Sequence, residues 1–339
     1  MGISNMGKEN AVKYHTNNTH ITHFSIVIVA WKGLSRRSEL LSKALNAKLW
    51  FFPDDAPYIQ AFFRTLRKTM TEKPKIIIVQ LPQGPLLLEA LLLRKLTKCK
   101  IVADVHTGFL IASNWRGLLL NSPFIKFLRN ADLIILHNDF ELNLIPSNLR
   151  EKTLIVFDPW YLIADISKQN GEKRNDYIVF PSSFAPDEPL EEVIRSVKSS
   201  NINVKIYITG NWKRYPKIIK YASENIIFTG YLPTKDYYQL ISNATGIITG
   251  TKREYTSLMS AWEALAYAKP LALTETRTLR TLFENYAIFY NWRKSESIIN
   301  AIKTIISHKP NMLTRERLRL RALKSVKNLK YKLKNLRQS

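Results

Sequence analysis

The stretch from position 250 reads Gly250-Thr251-Lys252-Arg253-Glu254-Tyr255-Thr256-Ser257-Leu258-Met259-Ser260-Ala261-Trp262-Glu263-Ala264-Leu265-Ala266-Tyr267-Ala268-Lys269-Pro270. It follows an apolar run, Thr245 to Thr249, with the character of a buried strand. A polar loop comes next, and then a helix expected to begin near Thr256. Lys269-Pro270 cannot continue that helix, and Leu271-Ala272-Leu273 opens another strand. Strand, loop and helix N-terminus together make an anion site. The first N–H groups of a helix lack intrahelical partners, and the helix dipole favours negative charge there. Thr256 and Ser257 add hydroxyls, and Lys252 and Arg253 add full charges. Glu263, about two turns into the expected helix, is placed to meet a group beside bound phosphates, such as a ribose diol. The alternative is an N-capped helix with a solvated glutamate.

Outward from this stretch, strands and helices alternate without a hairpin signal. Ser25-Ile26-Val27-Ile28-Val29-Ala30 is a β-branched run of the kind buried on both faces of a parallel sheet. Strands follow at Lys48 to Phe52, Lys75 to Gln80, Lys100 to Asp104 and Asp132 to Leu136, with helices between. The alternation restarts after a polar span, Ser167 to Asn175, with strands at Tyr177 to Phe180, Val204 to Thr209, Ile226 to Thr229, Thr245 to Thr249, Leu271 to Thr274 and Ala287 to Tyr290. This predicts an α/β chain of two Rossmann-like, doubly wound parallel-sheet domains with a cleft between them. The expected units are a flexible N-terminus (1–23), a first domain (24–165), a second domain (176–310) and a basic amphipathic C-terminal helix (311–339). No Gly-x-Gly-x-x-Gly follows the first strand, which argues against a dinucleotide site there.

The quoted stretch also resembles the nucleotide-sugar loop of GT-B glycosyltransferases of the family 4-like superfamily. There, two glutamates flank a phosphate-binding loop, and the helix ends in Glu-Ala-Leu/Met-Ala-x-Gly-Lys-Pro; here it ends Glu263-Ala264-Leu265-Ala266-Tyr267-Ala268-Lys269-Pro270. Two departures stand out. Glu254 and Glu263 enclose one residue more than the spacing usual in the retaining group. The glycine often found after the first glutamate is replaced by Tyr255-Thr256-Ser257. The resemblance implies a glycosyltransferase of hexosyl type, with donor contacts from Arg253, Glu254, Tyr255, Thr256, Ser257 and Glu263, and catalysis without a cofactor or bound metal.

Ligands of open α/β sheets bind beyond the carboxyl ends of the strands, which nominates further loops. Ser182 and Ser183 stand where hydroxyls and amides could face a diphosphate, with an ordinary capped turn as the alternative. Gly210, Asn211, Lys213 and Arg214 offer an amide and two cations, or a solvated loop. Tyr231 corresponds to the family segment beside the nucleotide base, or is a packing aromatic. In the first half Asp104 and His106 end a strand two apart. Asp104 is a candidate base for an inverting reaction, and both are positioning residues for a retaining one. A structural Asp–His hydrogen bond is the alternative.

Of 339 residues, 51 are Lys or Arg and 27 Asp or Glu, a net charge of +24 that calls for an anionic partner. From Thr314 onward apolar residues recur three or four apart among many Lys and Arg, a basic amphipathic helix suited to an anionic membrane surface. Phe62 to Lys68, and Trp115-Arg116 with Phe124 to Arg129, form a second basic-apolar patch. One cysteine, Cys99, excludes an intramolecular disulfide framework and a Cys-based zinc site. It suits a reducing interior, and Met1 to His23 has no signal-peptide core. The expected setting is cytoplasmic, peripheral at the membrane inner face. The expected partners are a nucleoside-diphosphate sugar and a glycan or lipid-linked acceptor. The rivals are a nucleic-acid-binding α/β protein, for which no recognised motif is present, and a GT-B nucleotide-sugar epimerase.

Overall fold

The computed structural model describes residues 25–111, 115–163 and 176–338. The polar span predicted as the domain boundary and the N-terminal segment lie outside these residues. The first domain runs β1 (Ile26–Trp31), α1 (Arg36–Leu45), β2 (Lys48–Phe52), α2 (Ile59–Glu72), β3 (Ile76–Gln80), α3 (Gly84–Thr97), β4 (Lys100–Asp104), α4 (Thr107–Leu110), α5 (Trp115–Ile125), β5 (Leu133–Leu136) and β6 (Thr153–Ile155). The second runs β7 (Tyr177–Pro181), α6 (Leu190–Lys198), β8 (Lys205–Thr209), β9 (Ile226–Gly230), α7 (Thr234–Asn243), β10 (Gly246–Thr249), α8 (Met259–Ala266), β11 (Leu271–Thr274), α9 (Arg277–Phe283), β12 (Ala287–Tyr290) and α10 (Ser295–Ser307). A long helix, α11 (Met312–Gln338), closes the chain.

Each domain holds one six-stranded sheet, in the orders β2-β1-β3-β4-β5-β6 and β12-β11-β10-β7-β8-β9. Every strand pair is parallel. Helices cover both faces, so β1, β3, β5 and β10 are wholly or almost wholly buried, as β-branched and leucine runs require. The strand order reverses between β1 and β3 in the first sheet and between β7 and β10 in the second. Crevices form beyond the strand ends at such points. In the first crevice Gln80 ties the loops together: Ser35 N–H donates to its Oε1 at 2.9 Å, and its Nε2 donates to Gly33 C=O at 2.8 Å.

α11 differs from its expected role. Leu318 and Ala322 are buried in the second-domain core, and Val326, Leu329 and Leu333 in the first-domain core with Ile28, Ile78 and Val102. Arg315 donates to the carbonyls of Leu265 and Ala266, and Ser325 Oγ accepts from Phe157 N–H. The buried part of the apolar stripe therefore braces the two domains, while Leu320 and the cationic outer face stay exposed.

Candidate active site

Loops at the carboxyl ends of β7, β8 and β9, with the first turns of α7 and α8, enclose a cavity of about 600 Å³. Gly210, just after β8, is required by geometry: its φ is +104°, and a Cβ there would lie 2.0 Å from Ser182 O. Gly250 is similarly tight, with Thr274 Cγ2 2.4 Å from where a Cβ would stand. Glu263 reaches the cavity from the second turn of α8 and is 4% exposed. Tyr237 Oη donates to its Oε2, and Tyr238 Oη to its Oε1 at 3.4 Å. No side chain caps the N-terminus of α8, and its first two residues, Met259 and Ser260, line the cavity. Tyr231, 83% exposed, stands at the rim, and Arg36 enters from α1 of the first domain.

Burial pushes the Glu263 carboxyl up to about 7, against the lowering influence of Tyr237 and of Arg36. A carboxyl raised above its unfolded value of about 4.3 favours the folded state at low pH. That contribution is full below about pH 4 and is lost as pH rises through 7. Glu263→Gln should therefore melt above wild type at pH 8, with the gap closing toward pH 5. Thermal scans at both pH values check this, and a gap independent of pH would contradict it.

Across the cleft a buried ion triad underlies the ends of β4 and β6. Arg37 Nε lies 3.1 and 3.3 Å from the Asp104 oxygens, and its Nη1 lies 2.9 Å from Asp158 Oδ1. The three side chains are 2%, 1% and 5% exposed. Burial alone would raise the Asp104 carboxyl, but Arg37, with His106 and His137, holds it well below the usual carboxylate range. Burial, Arg37 and His106 push the His137 imidazole down, so it is uncharged at neutral pH. Burial pushes Glu141 up to about 7, and it accepts from Thr107 Oγ1 and His137 N–H at 2.7 Å each. His106 Nε2 lies 3.6 Å from Asp104 Oδ2, its ring edge-on to His137 at 4.6 Å. Asp104, His106 and His137 have ligand atoms within 4.8 Å of one another, a spacing suited to a metal. The Arg37 guanidinium already lies on that carboxylate, however, and would repel a second cation.

Residues 163–331 match the family of glycosyl transferases, group 1. The chain belongs to that family. No curated protein sequence matches it. Among solved structures, HepE of Anabaena in complex with UDP and glucose is similar, at 13% identity and a TM-score of 0.68, over 92% of this chain and 100% of that one. The apo lipopolysaccharide outer core galactosyltransferase WaaB is similar at 13% identity and 0.59, over 91% and 99%. So is the UDP-GlcNAc 2-epimerase of Methanocaldococcus jannaschii, at 13% and 0.53, over 84% and 94%. At such identities the likeness is one of fold, the two-domain GT-B fold.

In this glycosyl transferase Ser182, Ser183, Gly210, Asn211, Arg214, Tyr231 and Glu263 line one cavity. Lys213 does not, and neither do Arg253, Glu254, Tyr255, Thr256 and Ser257, whose loop makes structural contacts instead. The Glu254 carboxylate accepts from the Arg277 and Thr278 amides at 3.0 and 3.2 Å, capping α9. Arg253 Nε lies 3.8 Å from Asp187, and Lys252 Nζ 2.6 Å from Glu192. Tyr255 C=O accepts from Asn138 Nδ2 of the first domain at 2.9 Å. The Thr256 hydroxyl turns to Glu254 C=O at 3.3 Å. Trp262 Nε1 donates to Ser257 Oγ at 2.8 Å, and α8 begins at Met259, later than the sequence suggests.

The Asp104 reading changes as well. The carboxyl is buried, bonded to Arg37 Nε at 3.1 Å and held low by it, a setting that suits an anchor better than a proton acceptor. Three titratable cavity residues escaped the sequence reading: Glu188, Tyr237 and Arg36. Arg36 had a signal, since a cation in the first helical turn after a parallel strand sits at the crevice.

Proposed function

We propose that the chain moves a sugar from a nucleoside-diphosphate sugar to an acceptor presented by the first domain, with that acceptor membrane-borne. The observation that carries the donor reading is the cavity itself. It gathers a buried carboxylate, Glu263, an exposed aromatic, Tyr231, and an uncapped helix N-terminus, that of α8, on one wall. Ribose hydroxyls donate to Glu263, the base lies on Tyr231, and the diphosphate meets the α8 amides and Arg214. The complex of HepE with UDP and glucose on the same fold supports this class of donor. The leaving diphosphate is stabilised by the protein's own cations and dipole, so the reading needs no metal. On the acceptor side the candidate group is His106, which is 20% exposed and lies beside Asp104 at the end of β4. It positions the acceptor hydroxyl, or takes its proton if the reaction inverts. A thermal-shift screen of nucleoside-diphosphate sugars tests the donor reading, since a ligand at a hundred times Kd stabilises by about 2.7 kcal/mol. No shift with any donor at millimolar concentration would overturn it. Interconversion of the sugar without an acceptor would favour epimerisation.

The membrane reading rests on the first domain. No helix among the described residues is long and apolar enough to cross a membrane. With much of the α11 stripe committed to the cores, the largest group of exposed apolar side chains on neighbouring helices lies on α2, α3 and α5, which pack side by side, while Leu313, Leu320 and Tyr331 of α11 are exposed as well. Ile59, Phe63 and Met70 of α2, Leu92 and Leu96 of α3, and Leu118 and Leu119 of α5 are all exposed. Arg67, Lys95, Lys98, Lys126 and Arg129 stand among them and enter no ion pair among the described residues. The side chains of Trp115 and Arg116, part of the patch expected from sequence, lie outside the description. Each cation near an anionic surface adds about 1 kcal/mol. Phe63 and Leu96 are 61% and 66% exposed, so Phe63→Glu with Leu96→Glu should leave the melting temperature unchanged. Sedimentation with anionic vesicles should fall at least about tenfold. Unaltered vesicle binding would contradict the assignment.

A further inference from the structure

The charge of the donor cavity does not suit a diphosphate if the second domain is counted alone. That domain lines it with one cation, Arg214, and two carboxylates, Glu188 and Glu263. Glu188 takes up the nearest donors, since Ser183 N–H and Oγ lie 2.9 and 2.6 Å from its Oε1 and Ser182 Oγ lies 2.5 Å from its Oε2. Lys252 and Arg253 are held by Glu192 and Asp187, outside the cavity. The only other cation on the described wall belongs to the first domain. It is Arg36, the opening residue of α1.

We propose that Arg36 is the positioning residue for the donor's diphosphate, so that the donor site is complete only with the first domain closed against the second. The inference rests on the donor reading above and adds to it the residue that couples the two domains. Arg36 Nη2 lies 3.4 Å from Thr234 Oγ1 at the start of α7, and its guanidinium carbon 5.4 Å from the centre of the Tyr238 ring. Its Nη1 pairs with Glu39 on the same helix. The side chain is 29% exposed and lines the cavity. A guanidinium offers a planar fork of donors that matches phosphate oxygens in pairs. The neighbouring Arg37 is locked to Asp104 and Asp158, which fixes the first turn of α1 on the first domain. Arg36 therefore moves with that domain as a unit. Its arrival raises the wall from one cation to two against the two carboxylates.

The rival role for Arg36 is to neutralise Glu263, which would serve the ribose and not the phosphates. Calorimetric titration of wild type, Arg36→Ala and Arg36→Lys separates the two. The probes are the diphosphates of uridine, guanosine, adenosine, cytidine and thymidine, and then the parent nucleoside of whichever binds. Arg36→Ala should weaken the diphosphate about ten- to a hundredfold and the nucleoside less than about twofold. Arg36→Lys should recover part of the loss, because it keeps the charge without the fork. Equal losses for nucleoside and diphosphate, or no loss, would overturn the role of Arg36 while leaving the donor reading intact. Wild-type protein that binds no diphosphate would overturn the donor reading, and this inference with it.

Discussion

Removal of residues 314–339 should leave no stably folded protein. Leu318, Val326, Leu329 and Leu333 are at most 4% exposed, and they belong to the cores of both domains. Burial of each such side chain contributes roughly 1.5–3 kcal/mol, so the four together supply about 6–12 kcal/mol. That is comparable with the roughly 5–15 kcal/mol by which a whole domain is stable. The truncated chain should express in inclusion bodies or lack a cooperative thermal transition by circular dichroism. A truncated protein that melts cooperatively within a few degrees of wild type would show that α11 is an appendage. The same packing explains why the sequence reading placed this helix on a membrane. An apolar stripe flanked by cations is the same pattern whether a core or a bilayer covers the stripe.

The second large effect is expected at the ion triad. Arg37→Met leaves Asp104 and Asp158 buried without their shared cation. Breaking a buried pair by removing one partner costs about 3–5 kcal/mol. The pH dependence identifies the cause. In wild type the Asp104 carboxyl is held below its unfolded value. Its contribution is thus present above about pH 4 and lost only as pH falls further. Without Arg37, burial raises the carboxyl instead, so the variant regains stability as it is acidified. Denaturant titrations should show a deficit of about 3–5 kcal/mol at pH 7.5 and a smaller one at pH 5. A deficit below about 1 kcal/mol, or one that does not change with pH, would contradict an ion triad of this kind.

The architecture was legible because its determinants are local. β-branched runs such as Ser25 to Ala30, spaced by helical stretches, specify a parallel sheet whatever the tertiary detail, and the observed strands begin and end within about two residues of expectation. That Glu263, Gly210 and Tyr231 would line a crevice was legible for a related reason, since Gly210 and Tyr231 stand at strand ends and Glu263 in the second turn of the helix that follows β10. The loop 250–258 was not. Its charges and hydroxyls looked free in sequence, but Asp187, Glu192 and the amides of Arg277 and Thr278 are brought to them only by folding. Asp104 looked like a base because Arg37, 67 positions earlier, is not visible as its partner in the sequence. Glu188 was missed for the same reason, since it joins the cavity through tertiary contacts that no local pattern announces, whereas Arg36 carried a signal in its place in the first turn of α1.

The central claim is that the cavity between α7, α8 and the ends of β7, β8 and β9 holds the nucleoside diphosphate of a sugar donor. A crystal structure of the protein with the diphosphate selected by calorimetry tests it most directly. The account predicts the ribose hydroxyls on the Glu263 carboxylate, the base against Tyr231, and the phosphates between Arg36, Arg214 and the first amides of α8. A nucleotide bound instead in the first-domain crevice beside Asp104 and His106, with this cavity filled by water, would contradict it.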